Sequence, residues 1–280
     1  MSRLLIFGRG YSGSAVAVEA ENSGFTVAAT SRSGAPGCIP FDDAEAEIAA
    51  ATHILSTAAP DANGDPVLAR YAQAIAAAPE LRWIGYLSST VVYGNRDGAW
   101  VDEDTPPAPT QGRGQRRVEA ENAWAAFPMK IDLFRLAGIY GPGRSALDDL
   151  RAGRARRMVK PGHCFGRIHR DDIAQAVAAA MLQDRPPGRR ILNLTDDEPS
   201  ESADVVTEAA ALLDVAPPPE IQFAVALPSM SAMAQSFWAE NRKVACQKTK
   251  AALGLRWRYP SYREGLRAIL IQERADRPVQ

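Results

Sequence analysis

The sequence predicts an α/β fold organised around a doubly wound parallel sheet, and three observations lead to that prediction. A short apolar run at residues 4–7 is long enough for one buried strand. Glycines in the spacing Gly-x-Gly-x-x-Gly follow it directly, and a helix-forming run at residues 14–20 comes next. Further short apolar runs alternate with helical patterns along the chain, which is the order typical of a parallel sheet flanked by helices.

The loop from Gly8 to Gly13, here the glycine loop, also contains Gly10, Tyr11 and Ser12, and its spacing predicts a dinucleotide site. In such a site the first glycine allows a tight turn, the second lets a pyrophosphate approach the backbone, and the third permits close packing of helix and strand. The following helix directs its free N–H groups and positive dipole end at the phosphates. Ordinary glycine-rich turns share this spacing, but the position between a strand and a helix favours a cofactor loop. We therefore expect these five residues to contact the cofactor.

The end of the second strand, at residues 25–30, bears on which cofactor binds. Sites for NAD place an acidic residue there to accept hydrogen bonds from the ribose 2′-hydroxyl. This chain has Ser31, Arg32 and Ser33 instead, and a guanidinium between two hydroxyls suits a 2′-phosphate. The pattern favours NADP(H) over NAD(H). The alternative is an incidental surface arginine, because arginine outnumbers lysine by 27 to 5 in this chain.

Two other strand ends are expected to line the cofactor site. Asp42 follows the short third strand, where it would lie near the adenine ring. The fourth strand ends in Thr57, Ala58 and Ala59, whose small side chains allow a ribose or nicotinamide to lie close. The same residues would also suit a plain turn.

The predicted fifth strand, at residues 82–87, runs into a cluster of hydroxyl side chains that begins with Ser88 and Ser89. Ligands of doubly wound sheets bind at the carboxyl ends of strands, so these serines are well placed to touch cofactor or substrate. Serines are also ordinary turn residues, and position alone leaves both interpretations open.

Composition excludes several classes of partner. The formal net charge of the 280 residues is -1, which predicts no attraction to nucleic acid or to an anionic membrane. No apolar run approaches the roughly 18 residues of a membrane helix, and a strand that begins at residue 3 leaves no room for a targeting segment. Cys38, Cys164 and Cys246 are odd in number and far apart, which predicts a reducing cytoplasm, no disulfide framework and no metal site.

Four further stretches carry a resemblance to a known family. They occur in the family's order along nearly the whole chain: Leu-Ser-Ser-Thr-Val-Val-Tyr-Gly at 87–94, Arg-Leu-Ala-Gly-Ile-Tyr-Gly-Pro-Gly at 135–143, Ile-His-Arg-Asp-Asp-Ile-Ala at 168–174 and Tyr-Pro-Ser-Tyr-Arg-Glu-Gly at 259–265. With them the chain resembles the extended short-chain dehydrogenases/reductases, which are NAD(P)-dependent sugar-nucleotide epimerases and dehydratases.

The resemblance implies two structural units and a possible homodimer. A Rossmann-type NAD(P)-binding domain is expected at residues 1–142 plus about 167–195. A smaller substrate-binding lobe is expected at residues 143–166 plus 196–280. Dimerisation through the helices that flank the fifth strand is typical of this family.

The chain departs from the family where its chemistry should lie. The family uses a Ser or Thr at the fifth strand and a Tyr-x-x-x-Lys motif on the next helix. Ser89 matches the hydroxyl position, but Arg113 stands where the tyrosine belongs and Arg117 where the lysine belongs. The chain therefore resembles an atypical subgroup that lacks the catalytic tyrosine.

Arginine stays protonated in proteins and cannot exchange a proton as a tyrosine does. Arg117 remains able to bind a ribose hydroxyl or a phosphate, and Arg113 to hold an anionic substrate or polarise a carbonyl. Ser89 with water, or the nearby Tyr93, is the expected proton source. Two hypotheses stay open: an oxidoreductase or epimerase acting on an anionic, sugar-nucleotide-like substrate, and a non-catalytic NADP(H)-binding regulator or redox sensor.

Two basic runs lie in the predicted smaller lobe. Residues 151–170 and 241–263 each hold seven Arg or Lys residues and no acid. They are expected either to frame a pocket for a phosphorylated or nucleotide-linked substrate or to form two solvated faces. His169 precedes a predicted helix at 171–183 that Asp171 or Asp172 would cap.

A third feature of the predicted lobe is a group of four large apolar residues at helical spacing: Met230, Met233, Phe237 and Trp238. This spacing is typical of core packing, or of a lid over the substrate, and we favour core packing.

Overall fold

A computed structural model describes residues 2–32 and 34–275. The strands in this part of the chain are β1 (Arg3–Phe7), β2 (Thr26–Ser31), β3 (Ile39–Pro40), β4 (His53–Ser56), β5 (Trp83–Ser89), β6 (Trp100–Val101), β7 (Lys130–Leu136), β8 (Gly138–Tyr140), β9 (Arg157–Val159), β10 (Arg167–His169), β11 (Gly188–Leu194), β12 (Glu220–Gln222) and β13 (Lys243–Val244).

The helices alternate with these strands along most of the chain. They are α1 (Tyr11–Asn22), α2 (Glu45–Ala50), α3 (Pro66–Ala76), α4 (Gly112–Ala125), α5 (Ala146–Arg151), α6 (Arg170–Leu182), α7 (Ser202–Leu212), α8 (Phe223–Ala226), α9 (Ala232–Trp238), α10 (Gln247–Leu253) and α11 (Tyr262–Ala275), with 3₁₀ turns at Phe41–Asp43, Thr90–Tyr93 and Leu227–Ser229.

The main sheet of the described residues has seven strands in the order β11-β7-β5-β4-β1-β2-β3, and all of its pairings are parallel. The chain moves outward from β1 to β3, returns to β4 on the other side of β1, and continues through β5 and β7 to β11. The order therefore reverses between β1 and β4, which is where ligands of doubly wound sheets bind. The predicted fold class is confirmed.

Both faces of this sheet are covered by helices. The alternation of side chains along β1 sends Leu4 and Ile6 to one face and Leu5 and Phe7 to the other. Helices α1 and α6 pack on the first face, and α2, α3 and α4 pack on the second. This double burial explains the continuous apolar run at residues 4–7 of the central strand β1.

A separate apolar core joins α5, α7 and α11 through side chains that include Leu147, Val205 and Leu266. Short parallel pairs accompany it: β9 with β12, β8 with β10, and β6 with β13. Strands of two or three residues carry no periodic signal, which explains why the sequence did not predict them. The boundaries of the two expected domains stay a prediction.

The start of α6 corrects one detail of the sequence analysis. The cap is His169, whose Nδ1 accepts a hydrogen bond from the backbone N–H of Asp171 at 3.2 Å. Asp172 is fully buried and accepts hydrogen bonds from the backbone N–H groups of Arg258 and Tyr259 instead. The carboxylate thus joins α6 to the segment before α11.

Within the described residues, no helix has the length and apolar character needed to cross a membrane. No cluster of three or more His, Cys, Asp or Glu side chains in the same residues could hold a metal ion.

Candidate functional site

The glycine loop connects β1 to α1, and its glycines are required by close contacts at two positions. A Cβ atom at Gly13 would lie 2.3 Å from the carbonyl oxygen of Gly8, so α1 packs directly on the loop. Gly8 has a φ of +98°, and a Cβ there would lie 2.5 Å from Oγ1 of Thr57. Gly10 faces open space, with no atom within 4 Å of its would-be Cβ. This is the space that a pyrophosphate needs above the backbone.

The amino end of α1 is open. Gly10 is the residue before the first helical turn, and no side chain in the described part of the chain caps the helix. The N–H groups of this turn therefore have no side-chain acceptor, which suits an anion. Tyr11 donates a hydrogen bond from its hydroxyl to the carbonyl oxygen of Pro142 at 3.1 Å, and the guanidinium groups of Arg144 and Arg170 lie 5.6 and 5.1 Å from its ring centre. Ser12 is buried beside it.

The glycine loop also touches the end of β2. The backbone N–H of Arg9 donates to the carbonyl oxygen of Thr30 at 3.0 Å, and Nη1 of Arg9 donates to the carbonyl oxygen of Gly37 at 3.1 Å. Arg32 is exposed in the turn after β2, and Ser31 accepts a hydrogen bond from the N–H of Ala35. Arg9 is thus a second cation at this strand end that the sequence analysis missed.

Two further residues, Ser33 and Asp42, were predicted to lie near the cofactor at this side of the sheet. Ser33 lies outside the described residues. The side chain of Asp42 is 81% exposed and lies 3.9 Å from Nε of Arg70. Its proximity to an adenine ring stays a prediction.

The end of β4 supports the glycine loop from the other side. Thr57 donates its hydroxyl hydrogen bond toward the carbonyl oxygens of Gly8 and Phe7, at 2.8 and 3.2 Å. The hydroxyl therefore fixes the turn that Gly8 makes, a role that its position in the sequence did not reveal. Ala58 and Ala59 follow it, half-buried and exposed.

A cavity of about 420 Å³ opens at the carboxyl end of β5 and extends toward the lobe residues. Its walls come from distant parts of the chain: Ser89, Thr90 and Val91, Arg113, residues 136–140, residues 164–167, and residues 236–238 with Glu240, Arg242 and Val244, together with Met158 and Ser202. Three guanidinium groups face one carboxylate in this lining, since Arg113, Arg167 and Arg242 lie with Glu240. The cavity is therefore suited to an anionic ligand.

The two serines at the end of β5 point to different environments. Ser89 lines the cavity, and its hydroxyl also accepts a hydrogen bond from the N–H of Val91 at 3.3 Å. Ser88 is buried and donates its hydroxyl to Oε1 of Glu121 at 2.6 Å. Successive side chains of a strand point to opposite faces. The Ser88 hydroxyl is thus directed into the interior, which corrects its predicted contact with the cofactor.

Tyr93 is fully buried, and its hydroxyl donates to Oδ1 of Asn193 at 2.8 Å. Its ring packs under the guanidinium of Arg135, and burial raises the pKa of the hydroxyl. A hydroxyl committed to Asn193 in the core cannot reach a substrate in this conformation. The expectation that Tyr93 supplies a proton is therefore corrected.

The two arginines of the Arg-x-x-x-Arg segment lie on α4, where the sequence analysis expected them. Arg113 lines the cavity and its guanidinium stacks on the ring of Phe237, with Cζ 4.4 Å from the ring centre. Arg117 donates from Nη1 to the hydroxyl of Tyr86 at 2.9 Å and to the carbonyl oxygen of Leu87 at 2.8 Å. Arg117 is thus anchored to β5, and Arg113 faces the ligand space.

Most charges of the two basic runs are balanced by acids from other segments. The pairs include Arg151 with Glu273, Arg154 with Asp149, Arg157 with Glu220, Lys250 with Asp197, Arg258 with Glu19, and Arg263 with Glu198 and Glu208. These pairs support the interpretation as solvated faces for most of both runs. Arg167 and Arg242 are the basic members that line the cavity.

The segment at residues 230–238 is divided between core and surface. Trp238 is buried against His163 and Phe165. The side chains of Met233 and Phe237 are 69% and 51% exposed, so the favoured core interpretation is wrong for these two. Phe237 instead forms part of the cavity wall above Arg113.

Neither buried histidine near the lobe is a good candidate for acid–base chemistry. Burial lowers the pKa of His163 and of His169 to about 4. Both rings are therefore neutral near pH 7, and they pack against aromatic neighbours, Trp238 for His163 and Tyr259 for His169.

Two known proteins are similar in sequence to part of this chain. Protein YeeZ of Escherichia coli strain K12 is 31% identical over 137 residues, which make up 48% of this chain and 47% of YeeZ. The 3-diazoavenalumate denitrifying reductase of a Streptomyces species is 28% identical over 178 residues, 59% of this chain and 58% of the reductase. The chain thus spans about half the length of the curated relatives it matches. No family model matches the chain.

Solved structures match over nearly the whole chain. A conserved protein of unknown function from Silicibacter pomeroyi is 42% identical, with a TM-score of 0.88 and coverage of 99% of this chain and 100% of that one. Human epimerase family protein SDR39U1 (isoform 2), solved with NADPH, is 21% identical with a TM-score of 0.79, covering 95% and 98%. MoeE5 in complex with UDP-glucuronic acid and NAD is 21% identical with a TM-score of 0.76, covering 98% and 100%. These structural neighbours, an epimerase family protein among them, share the fold of this chain.

Proposed function

This chain belongs to the same family as the conserved Silicibacter pomeroyi protein. We propose that it is an NADP(H)-binding oxidoreductase or epimerase/dehydratase of the short-chain dehydrogenase/reductase type. The observation that carries the proposal is the open amino end of α1 at the same edge of the sheet as a cavity lined by Ser89 and three arginines. The substrate we propose is a small anionic molecule of the sugar-nucleotide kind.

The glycine loop fits a dinucleotide. Gly10 leaves free space above the backbone, and the first turn of α1 has no side-chain cap. We expect the loop and α1 to hold the pyrophosphate. The ribose and nicotinamide would extend along the ends of β4 and β5, past Ala58 and Ala59 toward Ser89. Arg117 is anchored beside β5 and is suited to a ribose hydroxyl.

NADP(H) is the proposed cofactor because two arginines, Arg9 and Arg32, belong to the loop and turn that meet at the end of β2. A 2′-phosphate would receive charge-assisted hydrogen bonds there. We expect Arg32→Ala to weaken the binding of NADPH about tenfold. The affinity for NADH is expected to stay unchanged, since NADH carries no 2′-phosphate. Fluorescence titration with both nucleotides measures the difference, and an equal loss for both would contradict the preference.

The chemistry proposed for the site places few demands on a protein acid. When bound, the nicotinamide supplies or accepts a hydride. Ser89 lines the cavity and can hold the reacting oxygen by a hydrogen bond. Arg113 stays charged and stabilises negative charge that develops there. Tyr140 also lines the cavity, but burial strongly raises its pKa and its hydroxyl donates to the carbonyl oxygen of Ser261. The proton is therefore proposed to come from Ser89 together with water.

A non-catalytic NADP(H)-binding regulator or redox sensor is the second candidate. It is favoured by the placement of the tyrosines, since Tyr93 and Tyr140 are buried with their hydroxyls committed to other groups. A regulator is expected to bind the cofactor tightly without turnover and to change its affinity for a partner with the redox state of NADP.

Steady-state turnover separates the two candidates. NADPH oxidation is measured with a panel of carbonyl compounds, for the wild type and for the double variant Arg113→Tyr with Arg117→Lys, which introduces the family motif. If the proposed departure from the family site is correct, the wild type is slow and the double variant gains activity. Turnover of the wild type at ordinary enzyme rates, with no gain in the double variant, would remove the role proposed for the missing tyrosine.

The setting we propose for this function is cytoplasmic, and a homodimer through α3 and α4 is the proposed assembly. Size-exclusion chromatography with light scattering tests the dimer directly. A monomer at micromolar concentration would contradict it.

A further inference from the structure

Two arginines from distant parts of the sequence line the cavity at the end of β5. Arg113 comes from the first turn of α4, and Arg242 comes directly before β13. Neither the spacing nor the resemblance to a family connects them. Their common position in the cavity wall is a product of the tertiary fold.

Arg242 is held from behind. Its Nη1 donates to Oε2 of Glu240 at 2.7 Å and to the carbonyl oxygen of Gly94 at 2.9 Å. Glu240 also accepts a hydrogen bond from the hydroxyl of Thr110 at 2.7 Å. The carboxylate of Glu240 thus fixes Arg242 against the segment that leads into α4.

Arg113 is held by its flat face. Its guanidinium stacks on Phe237, and the adjoining Gln111 donates from Nε2 to the carbonyl oxygen of Ser236 at 3.0 Å. No carboxylate within 4.0 Å pairs with Arg113 among the described residues. Stacking leaves the edge of a guanidinium, with its N–H groups, free to bind an oxyanion.

The charges in the cavity are not balanced. Glu240 compensates one guanidinium, and burial, together with the smaller effect of the positive charge of Arg113, lowers the pKa of Arg242. Arg167 adds a third guanidinium, whose Nη1 donates to the carbonyl oxygens of Phe165 and Ser200, and whose nearest acid is the buried Asp196 outside the cavity lining. Like charges facing one cavity repel each other until an anion lies between them.

We propose that Arg113 and Arg242 form a two-sided clamp for a compact oxyanion, carboxylate or phosphate, on the substrate next to Ser89. This proposal rests on the proposed function for the identity of the ligand as a substrate. The position that the resemblance gives to a catalytic tyrosine serves here as a charged anchor, and the substrate carries its charge close to the reacting carbon. A neutral sugar ring at this position would leave the guanidinium of Arg113 without a charged partner, whereas Arg242 keeps its pair with Glu240.

The experiment is an NMR-detected titration of the full chain with inorganic phosphate, with malonate and with glucose as a neutral control, in the presence and absence of NADPH. The variants are Arg113→Gln and the double variant Arg242→Gln with Glu240→Gln, which removes the pair together and leaves no buried carboxylate alone. Arg256→Gln is the matched control, because Arg256 is exposed and lies outside the cavity lining.

We expect phosphate or malonate to bind the wild type, and each clamp variant to weaken that binding about 10- to 100-fold, the usual effect of losing charge-assisted hydrogen bonds. Arg256→Gln is expected to bind as the wild type does, and glucose is expected not to bind. A phosphate preference over malonate, or the reverse, identifies the oxyanion.

Several outcomes would overturn the clamp: no saturable binding by either anion, equal binding by the wild type and both clamp variants, or an equal loss in Arg256→Gln. Unchanged NADPH affinity in the clamp variants shows that they are folded. If NADPH fails to bind the wild type while the anions bind in an arginine-dependent way, the proposed function fails and the clamp stands.

Discussion

The glycine loop and the cavity at the end of β5 lie at the same edge of the sheet, yet they are built in different ways. The loop is formed by backbone contacts within residues 8–13 and one supporting hydroxyl, that of Thr57. The cavity is formed by side chains from segments more than 100 residues apart, Arg113 and Arg242 among them. A site made of local backbone can be predicted from spacing. A site made of distant side chains depends on how the chain packs.

The difference continues below the surface. Behind the cavity, Glu121 on α4 binds Arg135 on β7 through two hydrogen bonds of 2.7 and 3.0 Å, and Ser88 on β5 donates to the same carboxylate. This cluster joins three separate elements, β5, α4 and β7. The glycine loop is supported instead by α1, which packs directly on Gly8, and by the hydroxyl of Thr57.

The largest expected effect on stability comes from breaking the buried pair of Glu121 and Arg135 behind the cavity. Arg135→Met leaves Glu121 as a buried charge without its partner, so we expect the free energy of unfolding to fall by about 3–5 kcal/mol. The double variant with Glu121→Gln is expected to recover much of that loss. Urea denaturation measures both.

The matched control for this pair is Arg151→Met, which breaks the more exposed pair with Glu273. Its expected cost is below about 1 kcal/mol. Equal losses in Arg135→Met and Arg151→Met would show that the buried cluster is not what holds the cavity side together.

A second prediction separates stability from binding within the glycine loop. Gly13→Ala places a Cβ 2.3 Å from the carbonyl oxygen of Gly8, so we expect overpacking to cost about 1–3 kcal/mol of stability. Gly10→Ala meets open space, so its stability is expected to change by less than about 0.5 kcal/mol. NADPH affinity is expected to fall in both, since the Gly10 position is where a pyrophosphate would approach. Thermal denaturation with NADPH titration tests the pair, and an unchanged NADPH affinity in Gly10→Ala would contradict the assignment of the loop.

The third prediction concerns pH, and its effect is absent at neutral pH and appears only as the pH falls; it starts from His163 on the cavity side. Because the pKa of His163 is lowered to about 4 by burial, the folded state binds fewer protons than the unfolded state between pH 6.5 and 4. The contribution of His163 to stability is therefore full above pH 6.5 and is lost as the pH falls toward 4, by at most about 1.4 kcal/mol per pH unit. We expect His163→Phe to remove this part of the acid sensitivity.

Denaturation at several pH values between 7 and 4 measures that slope. Phe165→Leu is the control, since it replaces an aromatic ring next to His163 with a smaller side chain and leaves the titrating group in place. It is expected to lower stability equally at each pH. A slope in His163→Phe as steep as in the wild type would mean that the acid sensitivity lies elsewhere.

The side chains at the end of β5 could be predicted only in part from the sequence. The run of hydroxyls was recognised, but the pattern did not tell which of Ser88 and Ser89 faces the ligand space. That choice follows from the register of β5 between β4 and β7. Tyr93 was expected as a proton source near Ser89, but a 3₁₀ turn at Thr90–Tyr93 carries its side chain into the core.

The sequence by itself determined the order of the seven main-sheet strands and of the helices between them, the glycine loop and the substitution of arginines at positions 113 and 117. These features depend on contacts between near neighbours and on a periodic apolar pattern, which the chain carries locally. The tertiary structure alone decided that Arg242 shares a cavity with Arg113, that acids of other segments balance most of the two basic runs, and that Glu121 and Arg135 pair in the core. Long-range pairs of side chains are chosen by packing and by the cost of leaving a buried charge alone, and neither leaves a spacing in the sequence.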